Sequence, residues 1–205
     1  LNGKWRFQYL HSPHEVQPEH VAASAGQRGW RRITVPGNWT LQGYGRPQYT
    51  NIQMPFNNNP PAVPEENPTG VYRTTFTLPK GWSRRRTVIH FGGVESCFFL
   101  YANGEFVGMS KDSRLPAEFD LTPFLKGGRN SLAVVCIQYS DGSYVEDQDH
   151  WWMAGIFRDV YLYSTGTACI EDVSVRAGLN NDYRDGQLNV KVKLSFTEQP
   201  DDDCL

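Results

Sequence analysis

The stretch from Asp141 to Trp152 packs Glu146, Asp147 and Asp149 together with two adjacent indoles, Trp151 and Trp152, between two strongly apolar runs. Carboxylates grip pairs of sugar hydroxyls, and aromatic faces cover the apolar side of a sugar ring, so the mixture suits carbohydrate recognition. The same residues also fit a solvated turn with both indoles tucked into a core. Asp147 and Asp149 point the same way if this segment is extended. That leaves open a glycosidase acid/base couple of the retaining kind, in which the two carboxyls lie about 5 Å apart. Adjacent surface acids, however, are far more often solvated than catalytic.

A second candidate lies a hundred residues upstream, in Tyr49-Thr50-Asn51-Ile52. The amide of Asn51 offers a sugar hydroxyl both a donor and an acceptor, although an asparagine here also serves as a turn cap. Metal chemistry has less to work with. His11, His14 and His20 sit in a polar amino-terminal stretch, His90 alternates within a strand, and His150 has no histidine or cysteine partner at zinc-like spacing. A hard cation held by Asp149, with oxygen ligands from elsewhere, remains open. Gly92-Gly93 and Gly127-Gly128 read as turns, with neither a phosphate-cradling loop nor a nucleophile elbow around them.

The elements that must position these residues are strands. The chain has 205 residues, with 19 Gly and 13 Pro, a composition that favours many short strands over long helices. Alternating or apolar runs cover Trp5 to Tyr9, Val71 to Leu78, Thr87 to Phe91, Cys97 to Ala102, Phe106 to Ser110, Asn130 to Tyr139 and Ile156 to Tyr163. Asn103-Gly104 predicts a tight hairpin turn, because both of its central positions need positive φ. Strand after strand without βαβ alternation predicts an all-β antiparallel sandwich, best described as a jelly roll. From Pro36 to Gly70 the prolines forbid a helix or a central strand, and long loops of this kind are often binding loops. After Gly166 two further runs, Ile170 to Ala177 and Leu188 to Phe196, look like the opening hairpin of a second sandwich. An immunoglobulin-like domain needs about seven strands, so the second sandwich is expected to be incomplete.

The formal net charge is −2, and the basic residues are scattered along the chain apart from Arg84, Arg85 and Arg86, which read as a solvated loop. That argues against a nucleic-acid partner. No apolar stretch approaches the roughly 20 residues that cross a bilayer, so no membrane partner is expected. Cys97, Cys136, Cys169 and Cys204 show no CxxC pairing, and the first three fall in apolar strand-like runs, which favours a reducing compartment. The chain opens at Leu1 rather than a methionine, so cytoplasmic is the expectation while the native amino terminus stays open.

Collinear motifs then carry a family resemblance. Val35-Pro36-Gly37-Asn38-Trp39, Tyr49-Thr50-Asn51-Ile52, Asn67-Pro68-Thr69-Gly70 with Val71-Tyr72-Arg73, and Phe91-Gly92-Gly93-Val94 open the series. Ser113-Arg114-Leu115-Pro116 with Ala117-Glu118-Phe119-Asp120, Ser140-Asp141-Gly142-Ser143, Glu146-Asp147-Gln148-Asp149 and Gly155-Ile156-Phe157-Arg158-Asp159 complete it. In this order, from Trp5 to Tyr163, they closely resemble the sugar-binding domain of glycoside hydrolase family two, and the Glu146 to Asp149 block is similar to its β-galactosidases rather than its β-glucuronidases.

The resemblance implies a sugar-binding jelly roll over 1–165, followed over 166–205 by the first strands of an immunoglobulin-like domain. In the family a barrel with two catalytic glutamates comes next; no catalytic residue is assigned within this chain, which alone is expected to be inactive. Asn51 and Asp149 match the family residues that hold the galactosyl group, Ile52 would line the pocket, and Asp149 also matches a sodium ligand. A galactoside substrate, sodium completed by the missing barrel, magnesium in the full-length parent, the parent's remaining domains and a homo-oligomeric parent are all implied in the same way. His150-Trp151-Trp152 departs from the family pattern, which often has Trp-Arg here, so contacts just beyond the galactose are expected to differ. Two alternatives stand beside this reading: a freestanding galactose-binding lectin-like module and a β-glucuronidase-type domain.

Overall fold

The computed structural model describes residues 1–196 except Ala25, Gln27, Ile52 and Arg84; Cys204 also lies outside the described residues. Strands β1 (Gly3–Leu10), β2 (Arg31–Val35) and β3 (Gln48–Thr50) precede the long β4 (Thr69–Thr77). Next come β5 (Arg86–Phe91), β6 (Val94–Glu95), β7 (Cys97–Ala102), β8 (Glu105–Ser110), β9 (Ala117–Asp120) and β10 (Arg129–Ile137). They are followed by β11 (His150–Trp152), β12 (Gly155–Ile156), β13 (Val160–Thr165), β14 (Ala168–Leu179) and β15 (Gly186–Phe196). Helix is confined to single turns, such as α1 (Pro18–Val21) and α2 (Ser143–Glu146). Among the described residues no helix is long and apolar enough to cross a membrane.

Two antiparallel sheets form a sandwich. One has six strands in the order β2-β1-β4-β10-β7-β8 and the other three in the order β13-β5-β9. Side chains alternate along a strand, so Trp5 and Phe7 of β1 turn inward while Lys4 and Arg6 turn outward. The same alternation sends Tyr72 and Phe76 from β4, Leu132 and Val134 from β10, and Phe98 and Leu100 from β7 into one core. From the facing sheet, Ile89, Phe91 and Val160 meet them, and Trp39 from the loop after β2 joins the cluster. Each such buried side chain contributes about 1.5–3 kcal/mol, so this interlayer cluster dominates the stability of the sandwich.

Local chemistry agrees with these elements. Asn103 and Gly104 have φ of 52° and 88°, the positive pair that the hairpin between β7 and β8 requires. Arg86 begins β5 and pairs with Asp120 at 2.9 Å, and Arg85 donates to Ser164 O, so neither is a simple loop cation; Arg84 lies outside the described residues.

Three expectations need correction. The run expected from Ile156 to Tyr163 is two strands: Phe157 and Arg158 both donate backbone N–H bonds to Gly93 O, folding the chain over the Gly92-Gly93 turn between β12 and β13. Strands β2, β9 and β11 lie outside the expected runs; β2 and β9 are held by pairing with β1 and β5, and β11 by pairing with the equally short β3. The proline-rich segment also contains β3, three residues placed between its prolines and paired on one side only, which proline leaves possible. After Gly166, β14 and β15 pair only with each other and expose Ile170, Val175, Leu188 and Leu194.

Candidate functional site

The candidate residues meet on a small ladder outside the two main sheets. Strands β3 and β11 pair antiparallel, with Thr50 opposite His150, Tyr49 opposite Trp151 and Gln48 opposite Trp152. Asn51 follows the last paired residue of β3, and Asp149 precedes the first of β11. Two segments separated by a hundred residues in sequence thus become neighbours. Across the ladder the Tyr49 hydroxyl donates to Asp149 Oδ1 at 2.6 Å. The hydrogen bond that the phenol donates to Asp149 holds its proton and raises the Tyr49 pKa above its ordinary value, with the nearby negative charge adding to the effect. Ile52 lies outside the described residues.

The two indoles part company. Trp152 is buried and donates its indole N–H to Thr50 Oγ1, which ties β11 to β3. Trp151 is 54% exposed and sits 5.5 Å from the exposed Tyr49 ring, centroid to centroid. An exposed aromatic pair beside an exposed carboxylate can cover an apolar sugar face while the acid accepts from hydroxyls. Solvated turn and tucked-in indoles therefore describe Trp152 but not Trp151.

The two aspartates also differ. Asp149 is exposed, whereas Asp147 Oδ1 is shielded from solvent and has no hydrogen-bond partner among the described residues; His150 Nδ1 is in the same condition. Leaving such atoms unpaired costs about 1–3 kcal/mol each, so this loop holds polar groups that are not satisfied within the described chain.

The acidic loop is anchored from below. Helix α2 follows from Ser143, whose Oγ accepts from Ser140 N at 3.0 Å, and ends at Glu146, whose carboxylate accepts from both the N–H and the hydroxyl of Ser113. Lys111 pairs with Asp141 at 2.7 Å. Beyond β11, Met153 N donates to Glu95 Oε1 at 3.3 Å, and Arg114 Nη1 donates to Glu95 Oε2 at 3.4 Å. Glu95 is buried, and desolvation raises its carboxyl to about 7 against the lowering influence of Arg114. Sequence reasoning missed this residue. Its one signal is a charge flanked by Val94 and, after Ser96, by the apolar run Cys97-Phe98-Phe99-Leu100. Among the described residues, no group of three or more His, Cys, Asp and Glu is placed to hold a metal ion.

A two-sheet β-sandwich whose candidate site is a ladder of loops, bearing exposed aromatics, an amide and a carboxylate, is a binding domain of the carbohydrate-recognising class. The family model "Glycosyl hydrolases family 2, sugar binding domain" matches residues 1–166. The chain belongs to that family. It is 50% identical over 198 residues to a β-galactosidase of Photobacterium profundum, covering 97% of this chain and 19% of that protein. It is likewise 49% identical over 195 residues to a β-galactosidase of Vibrio cholerae, covering 95% of this chain and 19% of that protein. The chain therefore spans about one fifth of the length of these relatives. A β-glycosidase from Bacteroides vulgatus has the same fold at 23% identity and a TM-score of 0.70, covering 98% of this chain and 24% of that one. A β-glucuronidase from an uncultured Clostridium species matches at 21% identity and a TM-score of 0.65, covering 95% of this chain and 33% of that one. At such identities the likeness is one of fold.

Proposed function

We propose that this chain forms one wall of the galactose subsite of a retaining β-galactosidase, with Asn51, Ile52 and Asp149 touching the sugar and the catalytic glutamates lying elsewhere in a longer protein. The observation that supports the reading is the β3–β11 ladder, which pairs Thr50, the neighbour of Asn51 in the chain, with His150, the neighbour of Asp149, beside the exposed Tyr49 and Trp151. Asp149 accepts from sugar hydroxyls, Asn51 donates and accepts, and Trp151 covers an apolar ring face. The relatives at about half identity are β-galactosidases, which favours a galactoside over the glucuronide of the fold neighbours. Residues 166–205 are proposed to open the following immunoglobulin-like domain, and the parent to be a cytoplasmic homo-oligomer.

Sodium fits the donor chemistry in part. The exposed Asp149 carboxylate supplies one hard oxygen, and the remaining ligands must come from outside the described residues. Bound there, the cation would offset the charge of Asp149 and orient a sugar hydroxyl. Magnesium belongs with other parts of the parent in this reading.

The test is steady-state kinetics of Asp149→Asn and Asp147→Asn in the intact protein across a sodium series, with thermal melts as a folding control. Asp149→Asn is expected to lower kcat/KM on a β-galactoside by about 10- to 100-fold, the worth of a charge-assisted hydrogen bond, and to flatten the sodium dependence. Asp147→Asn is expected to change kcat/KM far less. Equal small effects of the two substitutions, or an unchanged sodium dependence in Asp149→Asn, would overturn the assignment.

A further inference from the structure

On the outer face of the six-stranded sheet, residues distant in sequence form a row. Arg6 of β1 stands directly opposite Arg32 of β2 on one side and Arg73 of β4 on the other. Three guanidinium groups therefore occupy adjacent rungs of three neighbouring strands. Like charges at directly opposed positions oppose strand pairing. Around this row lies a cavity of about 640 Å³, lined also by Lys4, Lys126 and Arg129 and by no Asp or Glu.

None of these six cations is paired with a carboxylate among the described residues; the ion pairs found there all lie elsewhere. Arg73 is the most telling. It is only 8% exposed, yet among the described residues its guanidinium donates to the backbone carbonyls of His20, at 2.9 Å, and Ala23, at 3.4 Å, and to no carboxylate, with the Trp30 ring 5.8 Å away. Buried charges are ordinarily paired, and here two carbonyls take part of the guanidinium's hydrogen bonding while no opposing charge is present among the described residues.

We propose that this cavity is a binding site for a small anion carrying two or more phosphate groups. Guanidinium forks match tetrahedral oxyanions with paired N–H donors, and six cations around one hollow call for a multiply charged ligand rather than a single carboxylate. The concavity has the volume of a small-molecule site. A net charge of −2 over the whole chain, with a pI near 6.2, sets the face apart from the broadly basic surfaces that bind nucleic acid.

The experiment is calorimetric titration of the intact protein with sodium tripolyphosphate at low and moderate salt, with orthophosphate and a short DNA oligonucleotide as comparison ligands. The expected result is saturable 1:1 binding of tripolyphosphate that weakens by about tenfold or more as salt rises and exceeds the binding of orthophosphate. Arg6→Gln and Arg32→Gln, both at solvent-accessible positions, are each expected to lose about tenfold in affinity. Arg6→Lys, which keeps the charge without the fork, should fall between them and the parent. Arg176→Gln on β14 should bind as the parent does. In the absence of anion, Arg32→Gln should melt at a higher temperature than the parent at low salt, since it relieves the row. Absence of tripolyphosphate binding, parent-like affinity in both Arg6→Gln and Arg32→Gln, or tighter binding of the oligonucleotide would overturn the proposal.

Discussion

Tyr49 and Asp149 lie 100 residues apart in the chain, and the tyrosine hydroxyl donates to the aspartate at 2.6 Å. The bond crosses the ladder diagonally, because the Cα partner of Tyr49 is Trp151. It holds an exposed carboxylate in place without burying it, which leaves that carboxylate accessible to a ligand.

The Tyr49 phenol is expected to titrate above its ordinary value near 10, the hydrogen bond to Asp149 being the main cause. Ultraviolet difference titration near 295 nm, compared with a Tyr49→Phe protein to assign the transition, reads it directly. In Asp149→Asn the same phenol should return toward 10. A transition unmoved by that substitution would mean the bond does not persist in solution.

Glu95 should make stability fall as pH rises. Its folded pKa of about 7 stands above the ordinary 4.5, so the fold favours the protonated form. The stability is complete below about 4.5, erodes as the unfolded chain releases its proton, and is fully lost once pH passes about 7, a difference of about 3 kcal/mol at most. Glu95→Gln keeps the acceptor for Met153 N and removes this dependence. Urea midpoints of the two proteins should coincide at pH 4.5 and diverge toward pH 8, with the variant the more stable. Asp120, Asp141 and Glu118 are shifted downward and act in the opposite sense, but they are common to both proteins and cancel in the difference.

Gly70 lies in β4 where a Cβ would run into the Trp39 ring and stand 2.7 Å from Phe7 Cε2. Both rings are fully buried, so neither can swing aside. Gly70→Ala is expected to cost about 2–3 kcal/mol through overpacking. Denaturant unfolding measures the cost, and a change below about 0.5 kcal/mol would show that the core yields more easily than its packing implies.

The thiols should divide by burial. Desolvation raises Cys97 to about 11 and Cys136 well above the ordinary range. Only thiolates react readily, so both should resist alkylation of the native protein at pH 8. Cys169 is half-buried and is expected to label before Cys97 and Cys136. Peptide mass mapping after a brief iodoacetamide pulse distinguishes them, and early labelling of Cys136 would contradict the packing of β10.

The strands with strong alternation, such as Trp5 to Tyr9 and Cys97 to Ala102, are legible because one face of each is buried and the period of two is carried in the residues themselves. Strand β11 is not, since His150-Trp151-Trp152 has no alternation of its own and acquires strand geometry by pairing with β3. Asn51 and Asp149 are recognisable as chemistry and as family motif, but the pairing of β3 with β11 that brings their two segments together is a property of register, which no local pattern encodes. Glu95 escapes for a related reason: a lone carboxylate among apolar residues announces nothing about which groups will surround it. The same holds for Arg6, Arg32 and Arg73, scattered along the chain and aligned only by strand pairing.

The β3–β11 ladder also sets an order of events. Its three rungs close a loop that the sandwich already shortens, and the ladder's weakness is its size, two three-residue strands in a sheet of their own. The nine rungs between β4 and β10 lie inside the loop and bury far more apolar surface. The ladder can thus unzip while the sandwich stays whole, a sub-global opening well below the energy of complete unfolding. Backbone amides of Tyr49 and Trp151 should exchange with deuterium long before those of Tyr72 and Val134. A sugar that bridges Asn51 and Asp149 would slow that exchange by holding the zipper shut, spending part of its own affinity on ordering the wall it binds.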